Sequence, residues 1–97
     1  MEIKQEETKT KGRLVALDGA TEMGEMTYSI ANEQLLIVDH TGVDEAYKGQ
    51  KVGLALFHKL VELTRTDGRK IMALCPFARK MFERHSDTHD VLRDGSL

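Results

Sequence analysis

The chain has 97 residues, 40% of them apolar and 31% charged. That is the size and composition of one hydrophobic core, which excludes a disordered chain, a fibre and a two-domain protein. No run approaches the roughly 20 apolar residues needed to span a bilayer, and residues 1–11 are too polar for a signal peptide. The reading is therefore one domain over residues 1–97, cytoplasmic and without a membrane partner. Residues 1–11 form a frayed leader or a short edge strand, and 93–97 a tail.

One cysteine, Cys75, excludes an internal disulfide, and four scattered histidines give no zinc spacing, so no metal is expected. The net charge of -2 hides an asymmetry. Residues 1–46 carry ten acidic and four basic side chains, whereas residues 47–84 carry nine basic and three acidic. Such a positive block attracts a polyanion. Aromatic side chains do not interleave with the basic ones, and no single helix collects them, so a phosphorylated small molecule is expected rather than nucleic acid.

In chain order, residues 12–17 and 23–30 read as two strands joined by Asp18-Gly19-Ala20, with Gly24, Met26, Tyr28 and Ile30 alternating on one face. A turn at Ala31-Asn32-Glu33 leads into residues 35–38, a continuous apolar run that predicts a central strand buried on both faces. That strand is expected to end in the polar stretch Asp39-His40-Thr41-Gly42. Residues 50–66 change period: Val52, Leu56, Leu60 and Leu63 form an apolar stripe at helical spacing, with Lys59, Glu62 and Arg65 on the other side. Gly68 suits the left-handed position that stops such a helix. Residues 69–75 read as a buried strand, and Pro76 opens a second helix whose apolar face is Phe77, Met81 and Phe82. Only Val91 and Leu92 are apolar in the remaining segment.

The turn Tyr47-Lys48-Gly49-Gln50-Lys51-Val52-Gly53 feeds the long helix. Unpaired amides at a helix start, with lysines beside them, suit an anion; a solvated surface turn is the plainer reading of the same residues. The element order weighs for the anion. A strand, a Gly/basic turn, an amphipathic helix, a second strand and a second helix resemble the acyl-CoA-binding half of the GNAT N-acyltransferases, whose loop reads Arg/Gln-x-x-Gly-x-Gly/Ala. Lys48 stands at the leading basic position and Gly53 at the final small one, while Lys51 replaces the central glycine.

The segment from His40-Thr41-Gly42-Val43 through Cys75-Pro76-Phe77-Ala78-Arg79-Lys80-Met81-Phe82 resembles small, single-domain members of that family over residues 12–92. The resemblance implies a minimal GNAT-like α/β (α+β) fold, with a mostly antiparallel central sheet and a β-α-β-α C-terminal half. It further implies acetyl-CoA as cosubstrate and an unidentified amine as acceptor. Two splayed strands would hold the pantetheine arm, and the pyrophosphate would lie at the start of the long helix. The implied cofactor-binding residues are Thr41, Gly42, Val43, Lys48, Gly49, Gln50, Lys51, Val52, Gly53 and Leu54.

Two residues are candidates for catalysis. His40 carries an imidazole suited to general-base work near neutral pH; its alternative is a polar residue marking a strand end. Cys75, just before Pro76, falls at a helix start where a thiol can serve as nucleophile or proton relay; its alternative is a small buried hydrophobe. The tyrosine that GNAT enzymes commonly carry on the second helix has no counterpart here, since Phe77 and Phe82 are the aromatics of that helix. A CoA-binding module with little catalysis is therefore the second functional reading. Arg79, Lys80 and Arg84 are candidates for further phosphate contacts or a solvated helix face.

Overall fold

A computed structural model of the protein describes residues 1–95. Five strands form one sheet in the order β1 (Glu2–Glu7), β2 (Lys11–Asp18), β3 (Thr21–Asn32), β4 (Leu35–Val43) and β5 (Lys70–Ala73). The first four pair antiparallel and follow one another through short turns. β5 runs parallel to β4, which requires a long crossover, and α1 (Val52–Asp67) supplies it. α2 (Pro76–Arg84) and a 3-10 turn (Ser86–Val91) follow. The fold is the mixed α/β arrangement expected, with the predicted β-α-β-α half formed by β4, α1, β5 and α2.

The period-two pattern of the strands and the period-3.6 pattern of α1 meet in one core. Leu14, Ala16, Met26, Tyr28, Leu36, Val38 and Ile71 from the sheet are buried together with Leu56, Phe57, Leu60 and Val61 of α1. Each such large side chain stabilises the fold by about 1.5–3 kcal/mol relative to an exposed one. α1 ends where Gly68 turns left-handed at φ 82° and its amide donates to the Thr64 carbonyl. Phe57 of α1 meets Phe82 of α2 edge to face, with ring centroids 4.9 Å apart, so the two helices share one side of the sheet. The opposite side carries Arg13, which is ion-paired with Glu6, Glu22 and Glu25.

Two expectations, both about β4, need correction, and both ends of the described chain are held to the sheet. Of the two readings of the amino terminus, the edge strand is the one that forms: β1 pairs along β2, and Glu7 accepts from Tyr28 Oη at 2.7 Å and from Arg69 at 3.0 Å. β4 does not stop at Val38 but continues through the polar residues to Val43, because β3 keeps pairing with it. Nor is it buried equally on both faces, since Leu36 and Val38 are buried while Leu35 and Ile37 are half-exposed. The segment after α2 is also anchored: Val91 and Leu92 are buried, Leu92 bridges to Ile71, and the Arg93 amide donates to the Ile71 carbonyl. Among the described residues no helix is long and apolar enough to cross a membrane.

Candidate active site

β4 and β5 part company at Val38. Its carbonyl accepts from the amides of both Leu74 and Cys75, each at 3.0 Å, and these are the last backbone bonds between the two segments. Beyond them β4 runs on with β3 alone as partner, while the other segment turns into α2. Across this opening the Cys75 thiol donates to Thr41 Oγ1 at 3.4 Å. Cys75 is 3% exposed and forms the N-cap of α2, and Pro76 fills the first helical position, where a missing amide costs nothing.

A β-bulge sits beside the opening. Tyr28 pairs with Val38 and Thr27 with His40, so Asp39 is the extra residue of β4. Its carboxylate accepts from Thr27 Oγ1 at 2.5 Å and Ser29 Oγ at 3.0 Å. Asp39 thus holds the bulge, and its carboxylate is committed to β3 rather than to the adjacent imidazole. His40 is exposed, and its ring lies next to Gly42, where an added Cβ would come 3.0 Å from Nε2. Strand alternation puts His40 and Gly42 on one face and Thr41 on the other. The structure therefore brings Cys75 to Thr41, and leaves His40 on the far side of the strand.

The loop after β4 divides by residue. Lys51 is the N-cap of α1 and takes the left-handed conformation, φ 61° and ψ 30°, with no side-chain cap. It occupies the backbone state for which the family's glycine is suited, and is the sole non-glycine at positive φ among the described residues. Among those residues nothing in the chain accepts from the amides of Val52, Gly53 and Leu54, so these donors and the helix dipole face outward. Gly49 is also left-handed, at φ 87°. The Lys48 ammonium pairs with Glu45 at 2.8 Å, and that carboxylate raises it above its ordinary pKa.

Other side chains of the expected set turn elsewhere. Val52 is buried in the core, and Gln50 lies with Met1, Asp18 and Met23. Val43, opposite Gly24 in β3, packs half-buried against the core. Gly53 serves packing, since a Cβ there would sit 2.6 Å from Phe77 Cζ. Gly49, Lys51 and Leu54 line a cleft of about 370 Å3 whose other wall is Phe77, Met81, Arg84 and His85 of α2 and its cap. The sequence reading included Arg84 among basic candidates but did not assign a role to His85. Arg79 points away, with Nη1 donating to the Ala73 carbonyl at 3.4 Å.

Against known proteins, a sequence model described as GCN5-related N-acetyl-transferase matches residues 13–91. The chain belongs to the GCN5-related N-acetyltransferase family. Among curated proteins no match was found. A GCN5-like protein from Staphylococcus aureus, solved by NMR, is 31% identical over 97% of this chain and 89% of that one, with a TM-score of 0.69. The fold is also that of the ribosomal-protein-alanine N-acetyltransferase from Brucella melitensis, at 18% identity, 79% and 62% coverage and a TM-score of 0.66. AAC(6')-Iy, solved with the bisubstrate analogue CoA-S-monomethyl-acetylneamine, is 10% identical over 84% and 62%, with a TM-score of 0.56. These likenesses are to the fold as a whole. β4 and β5 of this GCN5-related chain are the one parallel strand pair among the described residues, and the segment that leaves β5 meets the start of α1 where Phe77 lies against Gly53.

Proposed function

We propose that the protein transfers an acetyl group from acetyl-CoA to an amine. The observation that carries this reading is the opening between β4 and β5 at Val38, faced by Cys75 and Thr41 and adjoining the free amides of α1. An extended thioester arm fits between parting strands, whose unpaired backbone groups can hydrogen-bond its amides. Its diphosphate fits the start of α1, where amides and Lys51 supply positive charge.

In the transfer, the amine nitrogen attacks the thioester carbonyl, the C–N bond forms, the C–S bond breaks, and CoA leaves as a thiolate. His40, on the exposed face, takes the proton the amine loses. Cys75 gives a proton to the departing sulfur, leaving its own thiolate. The two protons balance, and exchange with solvent resets both groups. The cofactor then occupies the helix side and the acceptor arrives from the open side, where Glu6, Glu22, Glu25 and Asp39 favour a cation.

The second reading, a CoA-binding module with little catalysis, draws on the absence of any hydroxyl-bearing aromatic on α2. Release of free CoA from acetyl-CoA in the presence of small amines, lysine peptides and amino-terminal peptides separates the two. Amine-dependent release supports the transferase, and tight acetyl-CoA binding without it supports the module.

A further inference from the structure

Along the outer edge of β5 a further strand starts and stops. Leu92 bridges to Ile71 in parallel, and the Arg93 amide donates to the Ile71 carbonyl. The Gly95 amide then donates to the Leu92 carbonyl, with Gly95 left-handed at φ 72°, and this turn takes the chain off the edge before it reaches Ala73. A cavity of about 290 Å3 stands where the strand would have continued, and its lining includes Met72, Ala73, Leu74, Arg79, Arg93 and Asp94.

The backbone, the charge and the apolar surface of this cavity complement one kind of ligand. The Lys70 and Leu74 amides donate toward β4, to the carbonyls of Gln34 and Val38, so strand alternation turns the Ala73 amide the other way, toward the cavity. Among the described residues it meets no acceptor. Arg13, Arg65 and Arg69 are each held by a carboxylate at 3.0 Å or closer. Arg79, by contrast, reaches the Ala73 carbonyl and no carboxylate among the described residues, and Arg93 has its neighbour Asp94 at 3.5 Å. Leu74 is 58% exposed, and alternation sets it on the same face as the half-buried Met72.

We infer that the edge of β5 at Ala73 takes the carboxyl end of an extended peptide, with its backbone paired to Ala73, its terminal carboxylate on Arg79 and Arg93, and its last apolar side chain against Leu74 and Met72. Strand addition to an open edge supplies main-chain hydrogen bonds, and a guanidinium meets a carboxylate through parallel N–H bonds. The opening is short, bounded by Arg93 at one end and by the start of α2 at the other, which suits a chain end rather than the middle of a strand. The inference is independent of the acetyl-CoA reading, because no residue of α1 lines this cavity.

The test is a titration of the isotope-labelled full chain, followed through its amide NMR signals, with acetyl-Thr-Val-Val as the free acid, with the same peptide as its carboxyl-terminal amide, and with inorganic phosphate. The free acid is expected to shift the Ala73 and Leu74 amides saturably, with a dissociation constant on the order of 0.1–1 mM, and the amide form to bind at least about tenfold more weakly for want of the charged contact. A variant carrying both Arg79→Gln and Arg93→Gln should bring the two peptides within about threefold of each other by weakening the free acid alone. Both arginines are exposed, so their replacement tests the contact without disturbing the core. The inference is overturned by no shift at Ala73 up to about 10 mM free acid, by equal affinity for acid and amide, by a preference that survives the double variant, or by the same shifts from phosphate alone. A shift of these amides with protein concentration alone would assign the edge to a second copy of the chain and overturn it too.

Discussion

The Cys75 thiol donates to Thr41 Oγ1 across the gap where β4 and β5 separate. The contact joins residues 34 apart in sequence and sets a group able to give a proton beside the space assigned to the thioester. Cys75→Ala and Thr41→Val examine it from its two sides. If the thiol assists the leaving group, Cys75→Ala should lower turnover on the order of a hundredfold or more and leave acetyl-CoA affinity within about threefold. Thr41→Val, which keeps the shape and removes the acceptor, should cost less turnover than Cys75→Ala. Parallel losses of affinity and turnover in Cys75→Ala would make the residue a packing element.

Lys51 holds a left-handed backbone at the base of α1, a conformation that costs a non-glycine residue about 1–2 kcal/mol. Lys51→Gly should leave unfolding free energy unchanged or raise it by up to about 1 kcal/mol, the relief being partly offset by the freer unfolded chain. Lys51→Val, with a branched Cβ in the same conformation, should lower it by about 1–2 kcal/mol. Urea unfolding midpoints compare the three. A lower midpoint for the glycine variant would contradict the conformation.

Gly53 has a different basis, for its space is taken by the Phe77 ring. Gly53→Ala should destabilise the fold by about 1–3 kcal/mol through overpacking. Phe77→Leu should relieve part of that loss in the double variant, and a double-mutant cycle on thermal unfolding measures the coupling. Strict additivity would mean the two residues do not touch.

Burial raises the pKa of Tyr28 above its ordinary value, with Gln5 and Glu7 as hydrogen-bond partners. A raised phenol favours the fold fully below the unfolded pKa, and this contribution is lost as pH rises from about 10 through the folded value. Tyr28→Phe should be less stable than the native protein at pH 7 by about 1–2 kcal/mol, from the lost hydroxyl contacts. That difference should shrink above pH 10. In acid the direction reverses: Arg65 depresses Asp90 and Arg13 depresses Glu22. Stability from these pairs is present above the unfolded carboxylate range and lost as pH falls through the folded values. Urea midpoints across pH check both limbs, and a gap constant through pH 11 would contradict the Tyr28 account.

What the sequence revealed depended on how local the cause was. The stripe Val52, Leu56, Leu60, Leu63 and the stop at Gly68 are repeated or adjacent signals, and α1 lies where they put it. Pro76 marked the start of α2 for the same reason. β1 offered one apolar residue, Ile3, because its hold on the sheet comes from backbone pairing and from Glu7 reaching Tyr28 and Arg69, 21 and 62 positions away. Residues 39–42 read as the end of the strand because they are polar, yet the strand continues through them to Val43 because β3 supplies hydroxyls for Asp39 and backbone pairing for the rest. Lys51 read as a departure from the glycine loop, whereas its backbone adopts the conformation glycine favours. The His58–His85 pair had no signal at all, since only the packing of α1 on α2 brings the rings together.

The central claim is that the gap between β4 and β5, with the start of α1, holds the pantetheine arm and diphosphate of acetyl-CoA. Calorimetric titration of the purified protein with acetyl-CoA, beside ATP as a ligand with phosphates but no arm, tests it most directly. The account predicts micromolar affinity for acetyl-CoA and at least about tenfold weaker binding of ATP. No heat of binding at millimolar acetyl-CoA, or equal affinity for ATP, would contradict it.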